Sequence, residues 1–265
     1  MATATDAATE TNTTIMQNYC KTIGALAAAS ALVAGTAKAE IEYSINGGYH
    51  GEYIWRGIDF GKDMTTVGAD IATEAYGLSL SAGIWQANFD AAIPFAAGQF
   101  STVETDVYAD ISKDLGFWGL TGSVGYIKYI FDDTTPAGFG LQIDDAQEVY
   151  FGLSKDICYG IAADLTYYWD IETDNNGYLE LGLAKTIDLD CSDCLSLGLE
   201  TKLGYAVEQG EFANLVTSAT LDWAFNDNAT LSPYIALAIE GSENEVYESA
   251  NEYNFVAGVS LEVTF

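Results

Sequence analysis

The chain has 265 residues, of which 49% are hydrophobic and only 18% charged, and its formal net charge is −30. Residues 1–39 hold two of the nine basic and two of the 39 acidic residues, so the remainder keeps the same net charge. Nucleic acid is excluded as a partner, because phosphate binding depends on clustered Lys and Arg. Disorder is excluded as well, since 17 Tyr, 12 Phe and 5 Trp are too many aromatic residues for a solvated acidic segment.

The first 39 residues are interpreted as a targeting region. Residues 1–15 form an upstream extension and Met16 is the candidate start, followed by an apolar run over residues 23–35. Ala37-Lys38-Ala39 has the small-x-small pattern at which signal peptidase cleaves, so we expect cleavage after Ala39. Residues 40–265 are then one exported domain, and they lack the run of about 20 apolar residues that a membrane-spanning helix needs.

Apolar and polar residues alternate throughout this domain. In the first segment Tyr43, Ile45 and Tyr49 fall on one side, and residues such as Glu42 and His50 fall on the other. Such alternation, continued over more than ten residues, is typical of the long tilted strands that cross a membrane. The recurring pattern predicts an all-β fold, an antiparallel transmembrane β-barrel of about 12 strands, with 10 or 14 as alternatives.

The connections between the predicted strands alternate in length. Short ones are expected near residues 75–77, 114–119, 156–160, 187–194 and 226–230, and longer ones near residues 55–65, 90–102, 132–145, 172–177, 209–214 and 241–251. This layout favours a bacterial outer-membrane barrel with periplasmic turns, extracellular loops and both termini in the periplasm.

A secreted β-sandwich is the alternative fold. Two features argue against the sandwich. The apolar faces of the strands carry almost no charge, and aromatic residues lie at the strand ends, where we interpret them as membrane-interface girdles. These aromatic residues are Tyr53, Trp55, Tyr76, Trp85, Phe117, Trp118, Tyr159, Trp169, Trp223 and Phe225.

Residues 47–90 resemble the opening of the TorF-type porins, a Gram-negative outer-membrane family. The similarity lies in Tyr53-Ile54-Trp55-Arg56-Gly57, in Tyr76-Gly77-Leu78 and in Gly83-Ile84-Trp85 before Asn88, with weaker matches at residues 124–126 and 148–153. The resemblance implies a barrel and, by its family name, a channel, but it identifies no solute.

Acidic residues dominate the predicted inner face. The predicted pore-lining residues are Glu52, Arg56, Asp70, Glu104, Asp106, Asp164, Glu200 and Lys202. Because a dry lumen would make so many carboxylates very costly, we expect water to reach them. The sequence therefore predicts a channel for passive diffusion of small solutes with a weak preference for cations. A closed structural or adhesive barrel is the alternative, and an outer-membrane hydrolase is a third, less favoured hypothesis.

No catalytic residue and no cofactor is predicted. His50, the single histidine, is interpreted as a lumen-filling residue because no nucleophile motif accompanies it. Metal binding is left open, as is a disulfide between Cys191 and Cys194. The expected partners are outer-membrane lipid and lipopolysaccharide, small solutes or cations, and the barrel assembly machinery, which would recognise the terminal Phe265.

Overall fold

The computed structural model describes residues 41–56, 58–91, 100–133, 145–172, 176–189, 194–241 and 253–265. Within them, twelve strands form one closed antiparallel barrel in which each strand pairs with its neighbours in sequence and β12 pairs with β1. The strands are β1 (Ile41–Trp55), β2 (Ile58–Ala75), β3 (Leu78–Ala91), β4 (Phe100–Asp114), β5 (Thr121–Asp133), β6 (Ala146–Asp156), β7 (Ala162–Asp170), β8 (Tyr178–Asp188), β9 (Leu195–Ala206), β10 (Glu211–Asn226), β11 (Ala229–Glu240) and β12 (Tyr253–Thr264).

The closed barrel confirms the predicted fold and strand number, and it excludes the sandwich. The described part of the chain contains one short 3-10 turn, Cys158–Gly160, and no helix in it is long and apolar enough to span a membrane.

Two ends of the barrel differ in their connections. The "turn end" carries the links 76–77, 115–120, 157–161, 189–194 and 227–228, all close to the predicted short connections. The first described residue of β1 and the last of β12 lie at this same end, where Tyr43 and Phe265 pair through their backbones. The opposite "loop end" carries the links 92–99, 134–145, 171–177, 207–210 and 241–252, several of which fall largely outside the described residues.

The outer face is apolar, as the alternation predicts. Its exposed side chains include Ile45, Val67, Val124, Leu165 and Leu237. In a closed barrel, side chains that alternate with these must point into the lumen, because successive residues of a strand face opposite sides. Lys128 shares the parity of the exposed Val124, lies on the outer face near the loop end and pairs with Asp145 at 3.9 Å.

Inside the barrel, tyrosines cover glycines of the neighbouring strand. Tyr108 lies over Gly83, and Tyr150 lies over Gly125, so that a Cβ at either glycine would collide with the phenol ring. The Tyr108 hydroxyl donates to Asp70, and the Tyr150 hydroxyl donates to Asp110 over 2.9 Å. The glycines thus make room for aromatic side chains that, in turn, hold carboxylates against the wall.

Candidate functional site

The β1–β2 hairpin bends into the barrel instead of forming the long loop predicted near residues 55–65. β1 continues to Trp55 and β2 resumes at Ile58, with Arg56 at the tip. The register shifts twice, between Tyr53 and Ile54 in the β1–β2 pairing and between Lys62 and Thr65 in the β2–β3 pairing, and Asp63 has a positive φ of 53°. Bulges of this kind bend a strand and redirect its side chains, and here they turn the hairpin towards the lumen.

An aromatic cluster fixes the base of the hairpin against the inner wall. Tyr53 packs edge-on to Phe89 with ring centroids 5.0 Å apart, and it also contacts Trp85. Met64 is buried in the same cluster. The interpretation of Tyr53, Trp55 and Trp85 as membrane-interface aromatics is therefore wrong: the bulges and the parity of β3 place all three inside the barrel.

Arg56 carries the hairpin tip across the lumen to the opposite wall. In the ring of strands, β7 is the farthest from β1, and Arg56 contacts β6, β7 and β8. Its Nη1 and Nη2 donate to the two carboxylate oxygens of Glu148 over 2.8 and 2.7 Å. The side chains of Arg56 and Glu148 are only 13% and 8% exposed. This bidentate pair is the principal polar link between the hairpin and the far wall.

Three aromatic rings surround the guanidinium. Its Cζ atom lies 4.2 Å from the ring centre of Trp55, 4.4 Å from that of Tyr168 and 4.5 Å from that of Tyr178. All three distances fall within the range for cation–π attraction. Burial opposes the charge of Arg56, but the hydrogen bonds and the charge of Glu148 outweigh this, so the pKa of Arg56 lies above its ordinary value. The guanidinium therefore stays charged in the lumen.

Two further hydrogen bonds complete the arrangement that we call the Arg56 clamp. The Asn214 amide on β10 donates to the backbone carbonyl of Arg56, and the Tyr129 hydroxyl on β5 donates to Glu148 over 3.0 Å. The clamp thus joins residues of β1, β5, β6, β7, β8 and β10. Its geometry therefore depends on the relative positions of these six strands at the loop end.

Carboxylates in the β1–β2 hairpin and beside Tyr53 leave part of their hydrogen-bonding capacity unused. Glu104 is 2% exposed. Within the described residues, one oxygen each of Glu52, Glu104 and Asp106 is buried without a hydrogen-bond partner. A buried, unpartnered carboxylate oxygen costs free energy, so the expectation that water reaches every lumen acid does not match the surroundings of Glu104.

The other predicted pore-lining residues lie on the inner face away from the hairpin. Asp70 accepts from Asn46 over 3.1 Å, and Asp164 stands over Gly182 of the next strand. Lys202 pairs with Glu200 at 3.5 Å and with Glu180 at 3.7 Å while remaining 40% exposed. These residues are more open to solvent than the clamp, so the lumen is tightest at the loop end.

The remaining candidates show no catalytic arrangement among the described residues. His50 shares a hydrogen bond of 2.7 Å with the Tyr234 hydroxyl and another of 3.2 Å with Thr66, and neither partner is a carboxylate. In the same part of the chain, no group of three or more His, Cys, Asp or Glu side chains could hold a metal ion. Cys191, one of the two residues of the disulfide that the sequence leaves open, lies outside the described residues.

The sequence singled out Arg56 but missed most of its partners. Glu148 has inward parity in β6 but is absent from the predicted pore-lining set, as are Tyr168, Tyr178 and Asn214. All four occupy inward positions near the loop ends of their strands. That shared position is the feature of the sequence by which these partners could be identified, because a basic side chain at the loop end of the lumen pairs with an acid at the same end.

The fold and lumen define the class of this protein as a β-barrel of the outer-membrane type. Residues 34–257 match the family described as "Bacterial protein of unknown function (Gcw_chp)", and the chain belongs to that family. The TorF-type name is not confirmed. No curated protein matches the chain.

Solved structures with a similar fold include outer-membrane channels. A KdgM porin is similar with a TM-score of 0.50 at 10% sequence identity, over 84% of this chain and 99% of that one. An outer membrane channel from Pseudomonas putida F1 is similar with a TM-score of 0.54 at 11% identity, over 85% of this chain and 95% of that one. At such identities, the similarity establishes the barrel fold alone.

Proposed function

We propose that this protein is an outer-membrane channel for passive diffusion of small solutes, weakly selective for cations and constricted at its loop end by the β1–β2 hairpin. We also propose that the turn end faces the periplasm. The supporting observation is the charge of the lumen wall: Arg56 and Lys202 are engaged in ion pairs, whereas no ion pair within the described residues involves Asp70 or Asp164. The donors to Asp70 are the neutral side chains of Asn46 and Tyr108.

The physical basis is the field of fixed charge in a narrow passage. Carboxylates on a wall with low-dielectric surroundings raise the local concentration of cations and repel anions. Acids in the exposed connections act through a Debye length of about 8 Å at physiological salt, so they contribute less. The lumen acids should therefore dominate selectivity, even though the whole chain is strongly acidic.

Reversal potentials across a salt gradient test this proposal. In the test variant, Asp70→Asn, Asp164→Asn and Glu200→Gln remove three lumen charges. In the control variant, Glu172→Gln, Glu208→Gln and Asp227→Asn remove three charges from exposed connections. We expect the test variant to lose most of the cation preference and the control variant to retain it. Anion preference in the wild type, or equal effects of both variants, would contradict the mechanism.

A closed structural barrel is the second candidate, and the aromatic cluster around Tyr53 favours it because that cluster fills part of the lumen. The two functions differ in a single measurement. A closed barrel shows no conductance in planar bilayers, in the wild type or after the hairpin has been released from Glu148.

A further inference from the structure

Three hairpins at the turn end repeat one sequence pattern. Near the ends of β4, β6 and β8 the chain reads Ile111-Ser112-Lys113-Asp114-Leu115, Leu153-Ser154-Lys155-Asp156-Ile157 and Leu183-Ala184-Lys185-Thr186-Ile187. In each, an apolar residue, a small residue and a lysine precede a polar and an apolar residue. The lysines are three of the seven basic residues within residues 40–265 of a chain whose net charge is −30. The recurrence of a lysine at the same place in each pattern indicates a shared role for the three side chains.

The three lysines lie on the outer face of the barrel, on alternate strands β4, β6 and β8. Each has the same parity as the exposed apolar residue two positions before it: Ile111, Leu153 or Leu183. No ion pair to any of the three is present within the described residues. Asp114 is turned to its own connection, where its Oδ1 accepts from the backbone N–H of Gly116 over 2.7 Å. The ammonium groups are thus left available to a ligand.

Small residues separate the lysines from the next strand. Gly122 pairs with Lys113 on one side and with Leu153 on the other. Ala163 holds the equivalent place between Lys155 and Leu183. An apolar groove of about 680 Å³ runs past Gly122, on which the Leu115 side chain packs, and its lining also includes Lys113, Val124, Phe151 and Leu165. The groove is therefore apolar along its length and has a basic side chain, Lys113, at its turn end.

Exposed aromatic residues lie just beyond the lysines. Phe117 and Trp118 follow Lys113, and Tyr159 follows Lys155; all three are largely exposed. Tyr and Trp at such positions mark the level of lipid headgroups in membrane barrels. Lysine ammonium groups next to that level are placed to meet phosphate.

We infer that this surface binds an anionic membrane phospholipid, with the headgroup phosphate on Lys113 and Lys155 and an acyl chain in the groove over Gly122. Lys185 extends the same row. The inference rests on the proposed membrane location but is independent of channel activity. Charge complementarity selects the ligand, because an ammonium group is a strong donor to phosphate, and the apolar groove selects a lipid over a free phosphate ion.

Lipid retention by the purified full-length protein tests the inference. The protein is mixed with phosphatidylglycerol or with phosphatidylcholine of the same acyl chains, and bound lipid is counted by native mass spectrometry. We expect wild type to prefer phosphatidylglycerol. Since a membrane-surface lysine contributes a factor of about five in affinity for anionic lipid, Lys113→Gln with Lys155→Gln should weaken that preference by about tenfold or more.

The control variant removes two lysines elsewhere, Lys62→Gln with Lys128→Gln, and should behave as wild type. Gly122→Leu should reduce retention of both lipids by filling the groove, and excess inorganic phosphate should not displace bound lipid. Equal retention of the two lipids by wild type, equal losses in the two double variants, or displacement by phosphate would overturn the inference. A barrel that retains phosphatidylglycerol but conducts no ions would contradict the channel and leave the lipid site standing.

Discussion

Replacing Arg56 by Ala should release the β1–β2 hairpin from the far wall and widen the lumen. The substitution removes two hydrogen bonds of 2.7 and 2.8 Å to Glu148 and the contacts of the guanidinium with Trp55, Tyr168 and Tyr178. Within the described residues, it leaves the 8%-exposed Glu148 carboxylate with the Tyr129 hydroxyl as its remaining donor. The barrel should persist, because its strands are joined by backbone ladders that the clamp does not enter.

The magnitude follows from the burial of the pair. Removing one partner of a buried ion pair costs about 3–5 kcal/mol, since the other charge is left uncompensated. Each 1.4 kcal/mol changes an equilibrium constant about tenfold. The balance between docked and released hairpin should thus move by a factor of about a hundred to a few thousand. A hairpin docked nearly all the time in the wild type would then be released for a large fraction of the time.

Single-channel recording in planar bilayers is the assay. We expect larger conductance, with frequent transitions between levels, in Arg56→Ala, and an intermediate behaviour in Arg56→Lys, which keeps the charge but cannot make the bidentate pair. Lys202→Ala is the matched control: it also removes a lumen base, but its pairs of 3.5 and 3.7 Å are partly exposed and contribute about 0–1 kcal/mol. Identical recordings from wild type and Arg56→Ala, or an equal change in Lys202→Ala, would refute the reasoning.

Three further outcomes test the faces, the lumen packing and the assembly of the barrel. Leu165→Arg should destabilise the barrel in lipid by about 2–4 kcal/mol if residue 165 lies near the bilayer midplane, whereas Thr166→Arg points to the acidic lumen and should cost much less. Urea unfolding in vesicles measures the free energy of unfolding of both variants, and equal costs would contradict the assigned faces. Gly125→Ala should cost about 1–3 kcal/mol in the same assay, because the new Cβ meets the Tyr150 ring, and Tyr150→Ser should abolish that cost. Deleting Phe265, whose backbone N–H donates to Tyr43 over 2.8 Å, should lower the amount of protein in the outer membrane without blocking export, as fractionation and blotting would show; unchanged insertion would count against its part in assembly.

The barrel follows from the pattern of the amino-acid sequence. Alternation is a local property of an extended backbone, so the outward position of Ile45 or Leu237 follows from parity without knowledge of any neighbour. The same rule placed Asp70, Asp164 and Glu148 inside. Turn chemistry is also local: the short connection at Tyr76-Gly77 was predicted where the structure has it.

The arrangement at the loop end depends on contacts between strands that are distant in the sequence. Parity fails beyond a bulge, and the bulges near Tyr53 and Asp63 follow from pairing with other strands, so aromatic residues expected at a membrane interface lie in the lumen instead. The clamp depends on separations of 92 residues between Arg56 and Glu148 and 158 residues between Arg56 and Asn214. Closure of the ring of strands brings these residues together. The pattern within a single strand does not encode which acid of the opposite wall will pair with Arg56.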